Sequence, residues 1–270
     1  MMLADRRVTL KSPSQVEKMR RAGRLVADVL DRMSEELQPG VTTADLDRIA
    51  EEMIRRAGGI PSFLGVPGAG GPYRHTICVS IDDEVVHGIP GRRRIETGQV
   101  VSIDAGAIID GWHGDAARTF VVGDVPPETL RLVEETRRGM DEGIAAARAG
   151  RSIGDIAAAV EAVALEHGYG VLREYGGHGI GNEMHEDPFV PNYRAAGRGR
   201  KLEVGLCLAI EPMFTLGGPD VQLLDDGWTV ATVDGSLAAH WEQTIAILPE
   251  GPEILTVNGR DVSLSRGAGV

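Results

Sequence analysis

The sequence predicts an α+β fold of two related halves, with one curved, mostly antiparallel sheet covered by helices on its outer face. Three observations carry that prediction. Gly40-Val-Thr-Thr-Ala-Asp45 and Gly150-Arg-Ser-Ile-Gly-Asp155 both read G-x-[ST]-x-x-D, at an offset of 110. Residues 95–104, IETGQVVSID, and residues 202–211, LEVGLCLAIE, share [IL]-E-x-G-x-x-x-x-I-[DE] at an offset of 107. Residues 99–123, QVVSIDAGAIIDGWHGDAARTFVVG, are two apolar strands about Asp110-Gly111, a dipeptide suited to the two-residue hairpin turn.

The elements follow in order. A first helical segment covers about residues 14–37. Thr42 then opens a second helix, with Asp45 as a capping-box variant, and Gly58-Gly59 stop it after about Arg56. DDEVVHGIPG reads as a strand ending in a Gly-Pro turn, and each IETG- or LEVG-type segment as a turn glycine followed by an apolar strand that ends in a carboxylate. The second half repeats the scheme. A helix near 127–148 precedes one opened by Ser152 and Asp155, running through about His167 to Gly168, with His167 read as a helix-end cap. This order divides the chain into an N-terminal segment (1–10), a single domain (11–255) with halves at about 11–125 and 126–250, and a flexible tail (256–270), small and polar from about Asn258.

At 270 residues the chain is long enough for a large buried core, and 42% hydrophobic with 25% charged residues is ordinary for a globular protein. A net charge of -12 leaves no basic excess to neutralise phosphates, so nucleic acid is not an expected partner. Two cysteines, Cys78 and Cys207, give no disulfide framework and no metal-finger spacing. No apolar run approaches the roughly 18 residues of a membrane span, and MMLADRRVTLKS lacks the apolar stretch of a signal peptide. A reduced, cytoplasmic setting is expected.

The residues that carry chemistry sit in the strands. With a two-residue turn at Asp110-Gly111, Gly106 faces Asp115, and Asp104 lies diagonally from Asp115 on the same face, about 7–8 Å away at the backbone. An aspartate that follows Val100, Val101 and Ile103 needs a partner, because a buried carboxylate is costly alone. Glu211 repeats the situation after Leu206, Leu208 and Ile210, and Glu242 starts the apolar strand of HWEQTIAIL. Four converging carboxylates repel one another unless cations compensate, and oxygen-rich ligation suits hard or borderline divalent metals. YGGHGIGNEMHEDP adds His178 and His185 in a glycine-rich loop, and His87 is a third candidate. A lone histidine is more often a surface or core residue, but two in a glycine loop beside strand carboxylates favour a site. His185-Glu186 is not the helical H-E-x-x-H motif, since no second histidine follows and Pro188 would break a helix.

The ordered set VVHGIP, SIDAG, GDAARTF, GGHGIG-x-x-x-HEDP, IEPMF and HWEQT resembles the type I methionine aminopeptidases of bacterial kind, over about residues 10–250. The resemblance implies the pita-bread fold with two pseudo-symmetric halves. It also implies removal of N-terminal methionine from nascent chains whose second residue is small. Asp104, Asp115, His178, Glu211 and Glu242 would be the ligands of a two-metal site. In it Asp115 and Glu242 bridge, Asp104 serves one metal, and His178 and Glu211 the other. A metal-bridging water or hydroxide would attack the scissile carbonyl, Glu211 would shuttle the proton, His185 would hydrogen-bond the substrate or its tetrahedral intermediate, and His87 would assist the leaving group.

The same resemblance implies a specificity pocket with Tyr73, Cys78, Met184 and Trp228, where Met184 stands in place of a frequent aromatic. Asp82-Asp83-Glu84 departs from the Asn-Glu usual before V-V-H-G-I-P. Proline-specific peptidases of the same fold are the alternative, but they normally carry a large additional N-terminal domain. The type II enzymes carry an insertion, for which the spacings of 33 from His178 to Glu211 and 31 from Glu211 to Glu242 leave little room. A non-catalytic binding module of this fold would be expected to have lost ligands, and all five are present. Two divalent ions (Co, Mn, Fe or Zn) are the expected cofactors. The expected partners are nascent polypeptide N-termini, with transient ribosome contact, no membrane, and a monomeric state.

Overall fold

The computed structural model describes residues 8–259. The first half runs α1 (Pro13–Glu36), α2 (Thr43–Arg56), β1 (Ile60–Pro61), β2 (Ile77–Ile81), β3 (Glu84–Val86), β4 (Val100–Ile109) and β5 (Trp112–Val121). The second runs α3 (Pro127–Ala146), α4 (Ile153–His167), β6 (Gly170–Val171), β7 (Gly177–Gly179), β8 (Glu186–Val190), β9 (Cys207–Ile210), β10 (Met213–Thr215), β11 (Val221–Leu223), β12 (Val230–Thr232), β13 (Ala238–His240), β14 (Gln243–Leu248) and β15 (Gly251–Ile254).

Helices α1, α2 and α4 start at side-chain capping boxes, whereas α3, behind Pro126, has no side-chain cap. Ser12 caps α1 while the Gln15 side chain accepts from the Ser12 amide at 2.8 Å, and Pro13 has no N–H to orphan. Thr42 with Asp45 and Ser152 with Asp155 form capping boxes on α2 and α4, and left-handed Gly168 ends α4. In the first half, Val26, Leu30 and Met33 of α1 and Leu46 and Ile54 of α2 cover Ile77, Val79, Val101 and Ile103. In the second, Leu132, Met140 and Ile144 of α3 and Ile156 and Val160 of α4 cover Leu208, Ile210, Ile245 and Ile247.

The two halves repeat each other at the level of single hydrogen bonds. Gly40 N–H donates to Ile95 O at 2.8 Å and Gly150 N–H to Leu202 O at 2.9 Å; Ile95 N–H returns to Val41 O at 2.9 Å and Leu202 N–H to Arg151 O at 2.8 Å. The turn glycines Gly98 and Gly205 sit at φ 92° and 90°, a region that only glycine enters cheaply.

All strand pairings among the described residues are antiparallel. The strands form four separately hydrogen-bonded sheets rather than one continuous sheet. In one, β5 joins β1-β4-β2 through β4; the others are β15-β14-β9-β7-β8, β13-β10-β6 and β11-β12-β3. The halves meet where Glu242 N–H donates to Ala117 O at 3.0 Å and Ala117 N–H to Glu242 O at 3.3 Å.

Three expectations need correction. His178 is on the short strand β7, because its backbone pairs with Phe189 on one side and Ala209 on the other. Its flanking glycines are required there: a Cβ would meet Ala209 O at 2.3 Å from Gly177 and Asp187 O at 2.2 Å from Gly179. Residues 256–258 are held against the domain rather than forming a flexible tail. Thr256 is fully buried, accepting from Thr244 N–H at 3.1 Å and donating to Gln243, and the Asn258 amide donates to Asp28 and Asp31 at 2.8 Å each. Those partners lie far away in sequence, which composition does not reveal. His167 stands in the last turn of α4 as expected, but the cap position itself is Gly168, and the imidazole stacks on Tyr169 and lies 3.4 Å from Glu135 of α3. The expected segments before residue 8 and beyond residue 259 lie outside the described residues. Among the described residues no helix is long and apolar enough to cross a membrane.

Candidate functional site

The site is built on the β4–β5 hairpin. Ile109 pairs with Trp112, Gly106 with Asp115 and Asp104 with Ala117. Asp110 and Gly111 take φ 50° and 77°, both left-handed as a type I′ turn requires. This register puts Asp104 and Asp115 on one face. Asp115 is further fixed from the other half: its amide donates to Thr244 Oγ1 at 3.1 Å, and that hydroxyl donates back to the Asp115 carbonyl at 2.8 Å.

The second half brings three groups to the same place. Glu211 immediately follows β9, Glu242 immediately precedes β14, and the pairing of Ile210 with Gln243 sets these carboxylates side by side. His178 Nδ1 lies 2.9 Å from the Gly179 carbonyl, which can only accept, so Nδ1 carries the proton and Nε2 presents a lone pair. Nε2 stands 3.5 Å from Glu211 Oε1 and 3.9 Å from Asp115 Oδ2.

Electrostatics set this cluster apart from the other carboxylates of the chain. Burial pushes the Asp104 carboxyl up to about 7. Burial, then the charges of neighbouring carboxylates, push Asp115, Glu211 and Glu242 well above the carboxylate range. Burial also drives His178 down to about 3, so its imidazole is neutral at pH 7. Asp104 Oδ1, Asp115 Oδ1 and Glu242 Oε1 are buried without a hydrogen-bond partner. Acceptor atoms left unpaired in a low-dielectric cleft are unfavourable alone and suited to cations. Asp115, His178 and Glu242 place one potential ligand atom each within 4.8 Å of one another, as do Glu211, His240 and Glu242. The residues present therefore fit divalent metal.

An apolar pocket opens beside the carboxylates. Phe63, Tyr73, Cys78 and Met184 form a buried cluster, with Val66, Ile89 and Trp228 packed against it. Tyr73 meets Trp228 edge-on at 4.9 Å between centroids, and its hydroxyl donates to the Ile77 carbonyl at 3.0 Å. The cleft joining pocket and cluster has a volume of about 480 Å³ including its open mouth, and His87 and His185 also line it. That is the size range of small-ligand sites. His87 is held at φ 62°, a strained conformation for this side chain, and burial lowers its pKa to about 4. The His185 ring lies 4.4 Å from that of His178.

All eleven residues singled out from the sequence thus line one cleft. Two lining residues of this cleft, Phe63 and Val66, were missed there, as was His240, which lines the adjoining cavity beside Glu211. Phe63 and Val66 lie in an irregular stretch with no motif to mark them. His240 did carry a signal: two residues before Glu242 at the end of a strand, it shares that carboxylate's face.

The profile of metallopeptidase family M24 matches residues 17–249. The chain belongs to this family. Membership makes it a metallopeptidase that uses divalent metal. Among its relatives is the methionine aminopeptidase of Clostridium acetobutylicum, 47% identical over 251 residues and covering 93% of this chain and 99% of that protein. The crystal structure of methionine aminopeptidase from Thermotoga maritima superposes with a TM-score of 0.90 at 40% identity, covering 93% of this chain and all (100%) of that one. The Xaa-Pro dipeptidase of Bacillus anthracis is more distant: TM-score 0.74, 23% identity, with 93% of this chain matched to 63% of that chain. It shares the fold alone, and more than a third of it has no counterpart here.

Proposed function

We propose that this chain is a methionine aminopeptidase that removes N-terminal methionine from nascent polypeptides whose second residue is small. The observation that carries this reading is the junction of an apolar pocket with a buried carboxylate–imidazole cluster. Phe63, Tyr73, Cys78, Met184 and Trp228 offer a thioether side chain apolar and aromatic contacts and leave no charged partner for a polar one. The near-complete match to relatives called methionine aminopeptidases supports this substrate over X-Pro peptides.

In this reading Asp104, Asp115, His178, Glu211 and Glu242 hold two divalent cations, drawn from Co, Mn, Fe or Zn. When bound, such ions acidify an attacking water and polarise the scissile carbonyl. Glu211 takes the proton from that water and passes it to the departing amine. A carboxylate within hydrogen-bond reach of the water and of the departing nitrogen can serve both steps. His87, neutral at pH 7, hydrogen-bonds the leaving amide nitrogen, and His185 donates to the oxygen on which charge develops. The pocket wall holds the methionine side chain and excludes water from the bond under attack.

The test is a peptide panel with Met-Ala-Ser, Met-Gly-Met and X-Pro sequences, run before and after exhaustive chelation. Cleavage of the methionyl peptides, lost on chelation and restored by divalent metal, is expected. Preferential X-Pro cleavage, or full activity without metal, overturns the reading.

A further inference from the structure

His240, at the end of β13, is 1% exposed, yet neither ring nitrogen has a hydrogen-bond partner. A buried imidazole with both nitrogens unpaired is costly, and an aliphatic side chain would fill the space without that cost. Its backbone is clamped from the first half: Thr119 Oγ1 donates to the His240 carbonyl at 2.7 Å and accepts from its amide at 2.9 Å. The ring is thereby held against Glu211, with Nε2 3.7 Å from Oε2. His178 Nε2 faces the other oxygen of the same carboxylate, Oε1, at 3.5 Å.

The 3.7 Å separation is too long for a hydrogen bond. It does suit two donor atoms that share a cation. Ligand atoms about 2.0–2.2 Å from a common metal, at angles of about 90–120°, lie roughly 2.8–3.8 Å apart. Glu211, His240 and Glu242 also form a group whose ligand atoms are mutually within 4.8 Å, distinct from the Asp115, His178, Glu242 group.

We propose that His240 is a further protein ligand of the metal centre, supplying through Nε2 a second imidazole on the Glu211 oxygen that His178 does not face. The proposal rests on the reading of Glu211 and Glu242 as ligands. It gives one imidazole to each of two donor groups that share Glu242. Added nitrogen ligation favours borderline ions such as Co(II) or Zn(II) over Mn(II), which prefers oxygen.

X-ray absorption of the full chain loaded with Co(II) counts imidazole ligands directly. Two imidazoles summed over the filled site are expected in the unaltered protein. A single imidazole overturns the proposal without any variant being made. Chelator competition on metal-free protein supplies the affinity. His240→Gln should weaken Co(II) binding at least about tenfold, with a smaller loss for Mn(II), and should remove one imidazole from the absorption spectrum. Unchanged affinity and imidazole count in His240→Gln also overturn the proposal. His178→Gln separates the two levels of argument. If it too leaves Co(II) binding intact, the placing of the metal centre at these carboxylates fails, and the role of His240 fails with it.

Discussion

The two halves share a backbone plan but contribute to the site differently. The first half supplies Asp104 and Asp115 from one hairpin whose ten paired positions are joined by a two-residue turn. The second supplies His178, Glu211 and Glu242 from three strands and their ends, with the chain between Glu211 and Glu242 folded into β10 to β13. The first half is thus a platform set by local pairing. The second is an assembly that depends on contacts distant in sequence, and it carries His185, Met184 and Trp228 on the connecting segments. Chemistry concentrated in the second half, on a first-half hairpin whose register holds without it, is what this difference predicts.

The sharpest break of that division is Glu211→Gln. Amide for carboxylate preserves size, so thermal stability should stay near that of the parent. Turnover should fall roughly 10²–10⁴-fold, the range that general acid–base groups contribute. Turnover within a few-fold of the parent would remove Glu211 from the proton path.

The platform is tested by close packing. A Cβ at Gly114 would lie 2.6 Å from the Gly23 backbone nitrogen, and one at Gly23 would lie 2.3 Å from Leu255 O. Gly114→Val should therefore cost at least about 1–3 kcal/mol in chemical denaturation and should lower metal affinity through the adjacent Asp115. In the second half's connecting chain, a Cβ at Gly218 meets only Asp234 Oδ2, at 3.6 Å. Gly218→Ala should change stability by no more than about 0.5 kcal/mol. Equal penalties at both positions would contradict the contrast between the packed hairpin and the open connecting chain. A smaller effect is expected in the pocket. Phe63→Ala should raise KM for methionyl peptides roughly tenfold with kcat little altered, the pattern of lost side-chain binding.

The same contrast explains what could be read without coordinates. The hairpin register and the capping boxes at Thr42 and Ser152 follow from local spacing, and the structure has them. Of the two repeat carboxylates, Glu211 follows the end of β9 as expected, whereas Asp104 lies inside β4. Convergence of the second-half groups did not follow from spacing. It required pairing of β9 with both β7 and β14; the internal repeat leads one to expect the four carboxylates to meet, but not the strand order that brings His178 beside them. Phe63 and Val66 escaped because their segment has no periodicity, and Thr256 because its partners are fixed by the sheet edge.

The smallest effect is the response of the metal-free protein to pH, and its sign follows from two opposing sets of groups. Asp104 is raised to about 7 by burial, and Asp115, Glu211 and Glu242 are raised as well, so the folded chain binds their protons more tightly than the unfolded chain. Stability from these groups is present at low pH and is lost as pH rises through their folded values. His178 and His240, lowered to about 3, and His87 and His113, lowered to about 4, act the other way. They cost stability as pH falls below about 6.5, where the unfolded imidazoles take up protons. The two sets oppose each other below that value, and above it only the carboxylates still titrate. Tm in the presence of chelator should therefore fall between about pH 6.5 and 7.5, and saturating divalent metal should abolish the fall, because the cation takes the place of the proton. A chelated sample whose Tm is flat or rises across that interval would show that the four carboxylates, two from each half, do not share one buried site.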